Sequence, residues 1–248
     1  MKLKLSIMAM TLLFAFSSSA QDVDEIISNY FENTGGYDNW KNLKGIKMMA
    51  KVNQQGLEIP LEIVALSDGR QYTKINFQGN TIYQGVFDGE TLWNTNFASM
   101  QAERADAEAT ERQKLDANDF PDGLLDYKSK GYAAEFLGME TVEGAEVFKV
   151  KLTKEPITVD GQQVDDVNYY YFDTEYFLPI VQESEIRQGP QKGAMGQSKL
   201  SDYEEVEGLY FPFALTQGVK DGPSQPITIE SIEVNPEVDE TLFDFPGN

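Results

Sequence analysis

The 248-residue sequence contains no cysteine and no histidine. Without cysteine there is no disulfide, no thiol nucleophile and no residue to carry a lipid at a cleaved N-terminus. Without histidine the chain lacks the usual general base, the usual zinc ligand and the usual partner of a serine nucleophile. A G-x-S-x-G elbow and the phosphate-cradling glycine motifs are missing as well; Gly196-Gln197-Ser198 and Gly222-Pro223-Ser224 read as turns. Positive charge is scarce: 20 basic residues face 41 acidic ones, a net charge of −21. A chain this acidic is repelled by phosphate backbones and anionic lipid surfaces, so nucleic acid is excluded as a natural partner.

What is present begins with a leader. Lys2 and Lys4 precede an apolar run from Leu5 to Phe16, and Ser17-Ser18-Ser19-Ala20 supplies small residues at a cleavage site. This is the layout of a secretory signal peptide. The run falls short of the roughly 20 residues a membrane span needs. Cleavage after Ala20 is expected, giving an exported, periplasmic, soluble protein with no lipid anchor. Residues 21–248 are long enough for a single β-rich domain. The whole sequence is 41% hydrophobic and 12% aromatic, enough to build a substantial core.

Residues 22–34 read as one amphipathic helix, with Val23, Ile26, Ile27, Tyr30 and Phe31 on one stripe. Asp22 is placed as the N-cap, Glu25 completes a capping box, and Gly35-Gly36 ends the helix. From Gly45 the period becomes two. Strands are expected over 45–54, 57–66, 70–78, 80–87 and 91–95, an antiparallel meander with short turns. Residues 100–115 are rich in Ala, Glu, Arg and Gln and read as helical, with a second brief helix within 116–130. This helical insertion, about 100–130, interrupts the meander and is of the kind that covers something. Strands resume over 132–138, 145–154, 166–173, 176–187, 197–206, 208–218 and 226–234. Residues 155–166 read as an extra hairpin tip and 188–197 as a loop. A sheet of about 11–12 antiparallel strands coils by its own twist into a barrel or deep half-barrel. The fold class is therefore mainly β (α+β). Alternation sets Phe148, Val150 and Leu152 against Val147, Lys149 and Lys151, and Ile59, Leu61 and Ile63 against Glu58, Glu62 and Val64.

Acidic pairs such as Asp165-Asp166 and Glu204-Glu205 are what 41 acids scatter by chance, and they read as solvated surface rather than as a glycosidase pair. The run from Asp116 to Gly123 has the composition of a calcium loop but not the ligand spacing, so it reads as a helix end and turn. No metal site or cofactor is implied. Tyr169-Tyr170-Tyr171-Phe172 reads as a strand with aromatics on both faces, and Trp40 and Trp93 read as packing residues.

Five segments carry a resemblance: 30–36 (YFENTGG), 86–93 (VFDGETLW), 122–128 (DGLLDYK), 201–212 (SDYEEVEGLYFP) and 227–236 (ITIESIEVNP). Together with the order of elements, they make the chain resemble the LolA/LolB-like lipoprotein carrier family, in particular the outer membrane lipoprotein-sorting proteins of the Bacteroidetes type. The resemblance spans nearly the whole mature chain. It implies an unclosed antiparallel barrel, with helices as a lid over a hydrophobic cavity that receives acyl chains, and a place between two membranes. The family's lid-holding arginine has no counterpart, since Lys47 and Lys51 stand on the early strands and no arginine precedes Arg70.

The expected function is thus a non-enzymatic periplasmic carrier or chaperone for lipoprotein acyl chains or another lipid, monomeric, served by membrane-bound donor and acceptor proteins. The expected groove residues are Ile59, Leu61, Ile63, Phe148, Val150 and Leu152, closed by Ile26, Ile27, Tyr30 and Phe31 as lid. The alternative reading is a periplasmic sensor or interaction domain of the same fold that regulates a protein partner. A carboxylate-dependent enzyme is the third.

Overall fold

The structure is a computed structural model that describes residues 22–54 and 56–247. The expected leader and its cleavage site lie outside the described residues. Helix α1 (Val23–Asn33) starts where Asp22 accepts a hydrogen bond from the Asp24 amide at 3.2 Å. That donor is one residue earlier than a capping box uses, so Asp22 caps the helix in the simpler way. Gly35 ends the helix with φ +120°, and a Cβ there would stand 2.1 Å from the Gly208 carbonyl oxygen. A one-turn helix α2 (Tyr37–Lys41), unforeseen in the sequence, follows and buries Trp40.

The first meander comprises β1 (Gly45–Gln54), β2 (Leu57–Leu66), β3 (Gln71–Phe77), β4 (Asn80–Phe87), β5 (Leu92–Thr95) and β6 (Ala102–Arg104). Helix α3 (Ala107–Asp116) and a 3-10 turn (Ala117–Asp119) come next. The second run comprises β7 (Ala133–Val142), β8 (Ala145–Thr153), the small hairpin β9 (Ile157–Val159) and β10 (Gln162–Val164), then β11 (Val167–Asp173), β12 (Pro179–Glu185), β13 (Met195–Val206), β14 (Leu209–Val219) and β15 (Ser224–Val234). Thirteen of these strands form one antiparallel sheet, in the order β6-β5-β4-β3-β2-β1-β15-β14-β13-β12-β11-β8-β7. The sheet is unclosed, with β6 and β7 as its edges, and β9 and β10 form a separate two-stranded sheet.

Three expectations need correction. The helix expected over 100–115 begins later, because residues 102–104 pair with β5 (Trp93 opposite Arg104) and Asp106 resets the start by capping the Ala109 amide at 2.7 Å. The second brief helix is a single 3-10 turn followed by tight turns, among them one in which Asp122 accepts from the Leu124 amide at 2.8 Å. The strand expected from 176 starts at Pro179, since the Asp173 carboxylate gathers the amides of Glu175, Tyr176 and Leu178 into a turn.

Topology gives the insertion its position. Residues 105–132 leave one edge strand and rejoin at the other, so they bridge the two free edges of the sheet. At the β6 edge, Ala109 of α3 packs on Phe87 and Leu92. Toward the β7 edge, Leu124, Leu125, Tyr127 and Tyr132 join Ile26, Ile27, Tyr30 and Phe31 of α1 and the sheet residues Phe148, Val150, Leu152, Tyr170 and Phe172 in the largest core cluster. The outer face of β2–β5 has its own cover, the C-terminal segment: Phe243 packs on Val64, Tyr72 and Trp93, and its carbonyl accepts from the Trp93 indole at 3.1 Å.

Candidate functional site

The registers arrange the inner face into rows that run across the strands. Thr73, Ile63, Met48 and Ile232 stand opposite one another in succession from β3 to β15. The next row is Ile82, Ile75, Leu61, Ala50 and Ile229, from β4 to β15. A third is Ile59, Val52, Ile227, Leu215 and Leu200, from β2 to β13. Cross-strand neighbours of this kind sit within contact distance of each other on one face. No residue in the three rows is charged. The β1–β15 register slips between Met49 and Ala50, which skips Glu230 and lets Ile229 and Ile232 share the face although they are three apart. Skipped onto the outer face, Glu230 pairs with Lys51 at 2.6 Å, and Lys47 pairs with Glu233 at 3.2 Å. Both early lysines therefore serve the outer surface.

The expected groove residues fall into two environments. Ile59, Leu61 and Ile63 belong to a cluster with Ala50, Ile229 and the half-buried Met48, Val52, Ile75, Phe213, Leu215, Ile227 and Ile232. Phe148, Val150 and Leu152 lie on the inner face too, but Val150 and Leu152 are fully buried in the cluster that holds α1. There the side chains of Ile26, Ile27, Tyr30 and Phe31 fill the concavity. One half of the half-barrel is thus plugged by its own helix, and in the other the first and third rows are mostly half-buried while the middle row is mostly buried. Sequence reasoning missed Met48, Ala50 and Val52, and the partners from β14 and β15. Their alternation was visible, but which strands neighbour β1 was not.

Polar contacts tie the plug together. Tyr30 donates to Asp122 at 3.0 Å, Lys128 and Tyr127 both bond Asp24, and Tyr37 and Lys41 both bond Asp126. Lys128 and Tyr127 hold the Asp24 carboxyl below its usual range, and Tyr37 and Lys41 do the same for Asp126. Thr34 anchors the end of α1: the Trp40 indole donates to its hydroxyl at 2.9 Å, and its carbonyl accepts from the Tyr210 amide of β14 at 3.0 Å.

A second knot fixes the foot of α3. The Lys154 ammonium, its side chain only 7% exposed, lies 2.7 Å from Asp119, 2.8 Å from Asp166 and 3.2 Å from Asp116. Burial works against the charge, yet the three carboxylates raise the Lys154 pKa well above the usual lysine value. An ammonium thus takes the centre of the acidic run whose composition looked like a calcium loop. Farther along α3, Glu108 accepts from the amides of Asp160 and Gly161 in the β9–β10 hairpin, and Arg112 donates to the Thr158 carbonyl. The insertion is thereby strapped to both sides of the sheet.

Next to the apolar rows the inner face turns polar. Tyr170, Gln182, Ser198, Gln217 and Gln225 stand opposite one another across β11 to β15. The first four of them border a half-open cleft of about 360 Å³ that Asn168 and Gln191 also line. On the opposite face of β12, burial pushes the Glu183 carboxyl up, but Lys220, Gln197 and Tyr171, all bonded to it, hold it below the ordinary glutamate value.

An unclosed antiparallel half-barrel, bridged by a helical strap and plugged at one end by an N-terminal helix, is a known architecture. No protein-family model and no curated protein matches this sequence. Solved structures do match its fold: a LolA superfamily protein from Nitrosomonas europaea (12% identity, TM-score 0.52, 91% of this chain and 98% of that one) and an outer membrane lipoprotein-sorting protein domain from Vibrio parahaemolyticus (14%, 0.53, 89% and 95%). A DUF1329 family protein from Desulfovibrio piger matches as well (13%, 0.53, 90% and 97%). The chain has the LolA-type fold. No helix among the described residues is long and apolar enough to cross a membrane.

Proposed function

We propose that this protein is a periplasmic lipid carrier whose inner face holds the acyl chains of a lipoprotein or another lipid, and that it works by binding rather than by catalysis. The observation that carries the reading is the set of three uncharged, largely apolar rows on the inner face of an unclosed sheet, the first and third mostly half-buried around a buried middle row. From Ile46 to Val52 the face extends about 20 Å along β1 at strand rise, a length suited to an extended acyl chain. Each methylene taken from water contributes about 0.8 kcal/mol, and ordering the chain offsets part of the sum. Ile59, Leu61 and Ile63 form the standing groove. Phe148, Val150 and Leu152 become available to cargo when α1 swings away with Ile26, Ile27, Tyr30 and Phe31, so α1 acts as lid and plug together. The likeness of fold to an outer membrane lipoprotein-sorting protein domain supports this choice of cargo and compartment.

The test is native mass spectrometry of the exported protein, followed by titration of the delipidated chain with a fluorescent long-chain fatty acid. Co-purified diacyl or triacyl species and saturable probe binding are expected. Ile59→Glu, which sets a carboxylate in the third row, should weaken probe binding about tenfold or more. Glu58→Gln, on the opposite face of the same strand, should leave it unchanged. Equal binding by Ile59→Glu and the parent chain would overturn the assignment.

A further inference from the structure

The polar row and the third apolar row are continuous, and their juxtaposition says what kind of lipid the groove accepts. Ser198 lies two residues from Leu200 on β13, Gln217 two from Leu215 on β14, and Gln225 two from Ile227 on β15, all on the same face. Two residues of strand span about 7 Å, so a ligand whose chains follow the apolar rows places its headgroup in the cleft. We infer that the cleft lined by Asn168, Tyr170, Gln182, Gln191, Ser198 and Gln217 recognises an uncharged headgroup bearing hydroxyls or amides, not a phosphate. This rests on the carrier reading above.

The groups facing the cleft are carboxamides and hydroxyls, each able both to donate and to accept. Among the described residues the side chains of Gln182, Ser198 and Gln217 have no protein hydrogen-bond partner, so they are free for a ligand. The cations nearby are already engaged. Lys220 is bonded to Glu183 at 2.9 Å, Arg187 to Glu185 at 2.8 Å, Lys192 to Asp160, and Arg112 to the Thr158 carbonyl and Gln188. A phosphate would therefore find no spare cation in the cleft to offset its charge. A neutral polyol or amide meets only matching donors and acceptors.

The experiment displaces the bound fluorescent fatty acid with lipids of identical acyl chains: a glucosyl diacylglycerol, a neutral diacylglyceryl lipopeptide and phosphatidylglycerol. The first two distinguish a glycolipid from a lipoprotein N-terminus as the source of the uncharged headgroup. At least one uncharged lipid should displace the probe at about tenfold lower concentration than phosphatidylglycerol, as two added hydrogen bonds predict. Gln182→Leu with Gln217→Leu should erase that preference, the uncharged lipids then displacing the probe no better than phosphatidylglycerol. Gln217→Leu alone, at an exposed position, should erase part of it without risk to folding. Displacement by phosphatidylglycerol at an equal or lower concentration, or a preference that survives both substitutions, overturns the inference and leaves the groove standing. Failure of the fatty acid itself to bind overturns the groove and the headgroup site together.

Discussion

Replacing Lys154 by methionine probes the strap directly. The substitution keeps the length and apolar stem of the side chain and removes only the charge. Three carboxylates, those of Asp116, Asp119 and Asp166, then face one another with no cation at 2.7–3.2 Å. Removing one partner of a buried ionic cluster costs about 3–5 kcal/mol, so a loss of that size in urea denaturation at pH 7 is expected. The pH dependence has a definite sign. The raised folded-state pKa of Lys154 means its contribution is complete below the unfolded lysine value of about 10.4 and is lost only as pH rises beyond it. Between pH 4 and 8 the parent's lysine contribution is therefore constant. In Lys154→Met the crowded carboxylates take up protons more readily in the folded than in the unfolded chain, so the deficit shrinks as pH falls toward 4. Asp116, whose carboxyl burial already pushes up, leads that change. Because Asp116 and Asp119 belong to the strap and Asp166 to the sheet, limited proteolysis should also cut residues 105–132 faster in the variant. A loss below about 1 kcal/mol, or a deficit that stays constant or grows on acidification, would refute the reasoning.

Other outcomes follow from the same geometry. Glu183→Gln removes the charge that Lys220, Gln197 and Tyr171 share, and should cost about 2–3 kcal/mol at pH 7; in the parent chain this contribution is present above the unfolded glutamate pKa of about 4.3 and fades as pH falls through the lower folded value, which a urea series from pH 7 to 3 will show. Leu152→Ala, at a fully buried site under α1, should lower stability by about 2–5 kcal/mol. Gly35→Ala has no room for its Cβ beside the Gly208 carbonyl and no easy φ, so thermal unfolding should show a loss greater than the roughly 1 kcal/mol of an ordinary glycine exchange. Gly138→Ala, where a Cβ meets nothing, provides the contrast at a similar positive φ of +113°.

Much of this architecture was legible in the chain because its signals are local. The period-two alternation of Ile59-Leu61-Ile63 and Phe148-Val150-Leu152 identifies the faces correctly, since neighbouring residues on a strand must point to opposite sides. Tyr170 and Phe172 face inward while Tyr169 and Tyr171 face out, as a strand of aromatics requires. Helix α1 follows its stripe and its Asp22 cap to within a residue. The later start of α3 and the β6 pairing escaped, because three residues gain strand conformation only from the partner strand beside them.

The sequence by itself determined the elements, their inner faces and the absence of cysteine and histidine chemistry, all of which depend on residue type and short-range spacing. Only the tertiary structure decided that β1 lies beside β15, which assembles Ala50, Val52, Ile227 and Ile229 into rows. It also divided one apolar face into a half plugged by α1 and a half left accessible, and set an uncharged polar cleft next to the latter. Those arrangements join residues more than a hundred positions apart, and what brings them together is sheet registry and the burial of α1, neither of which leaves a local trace.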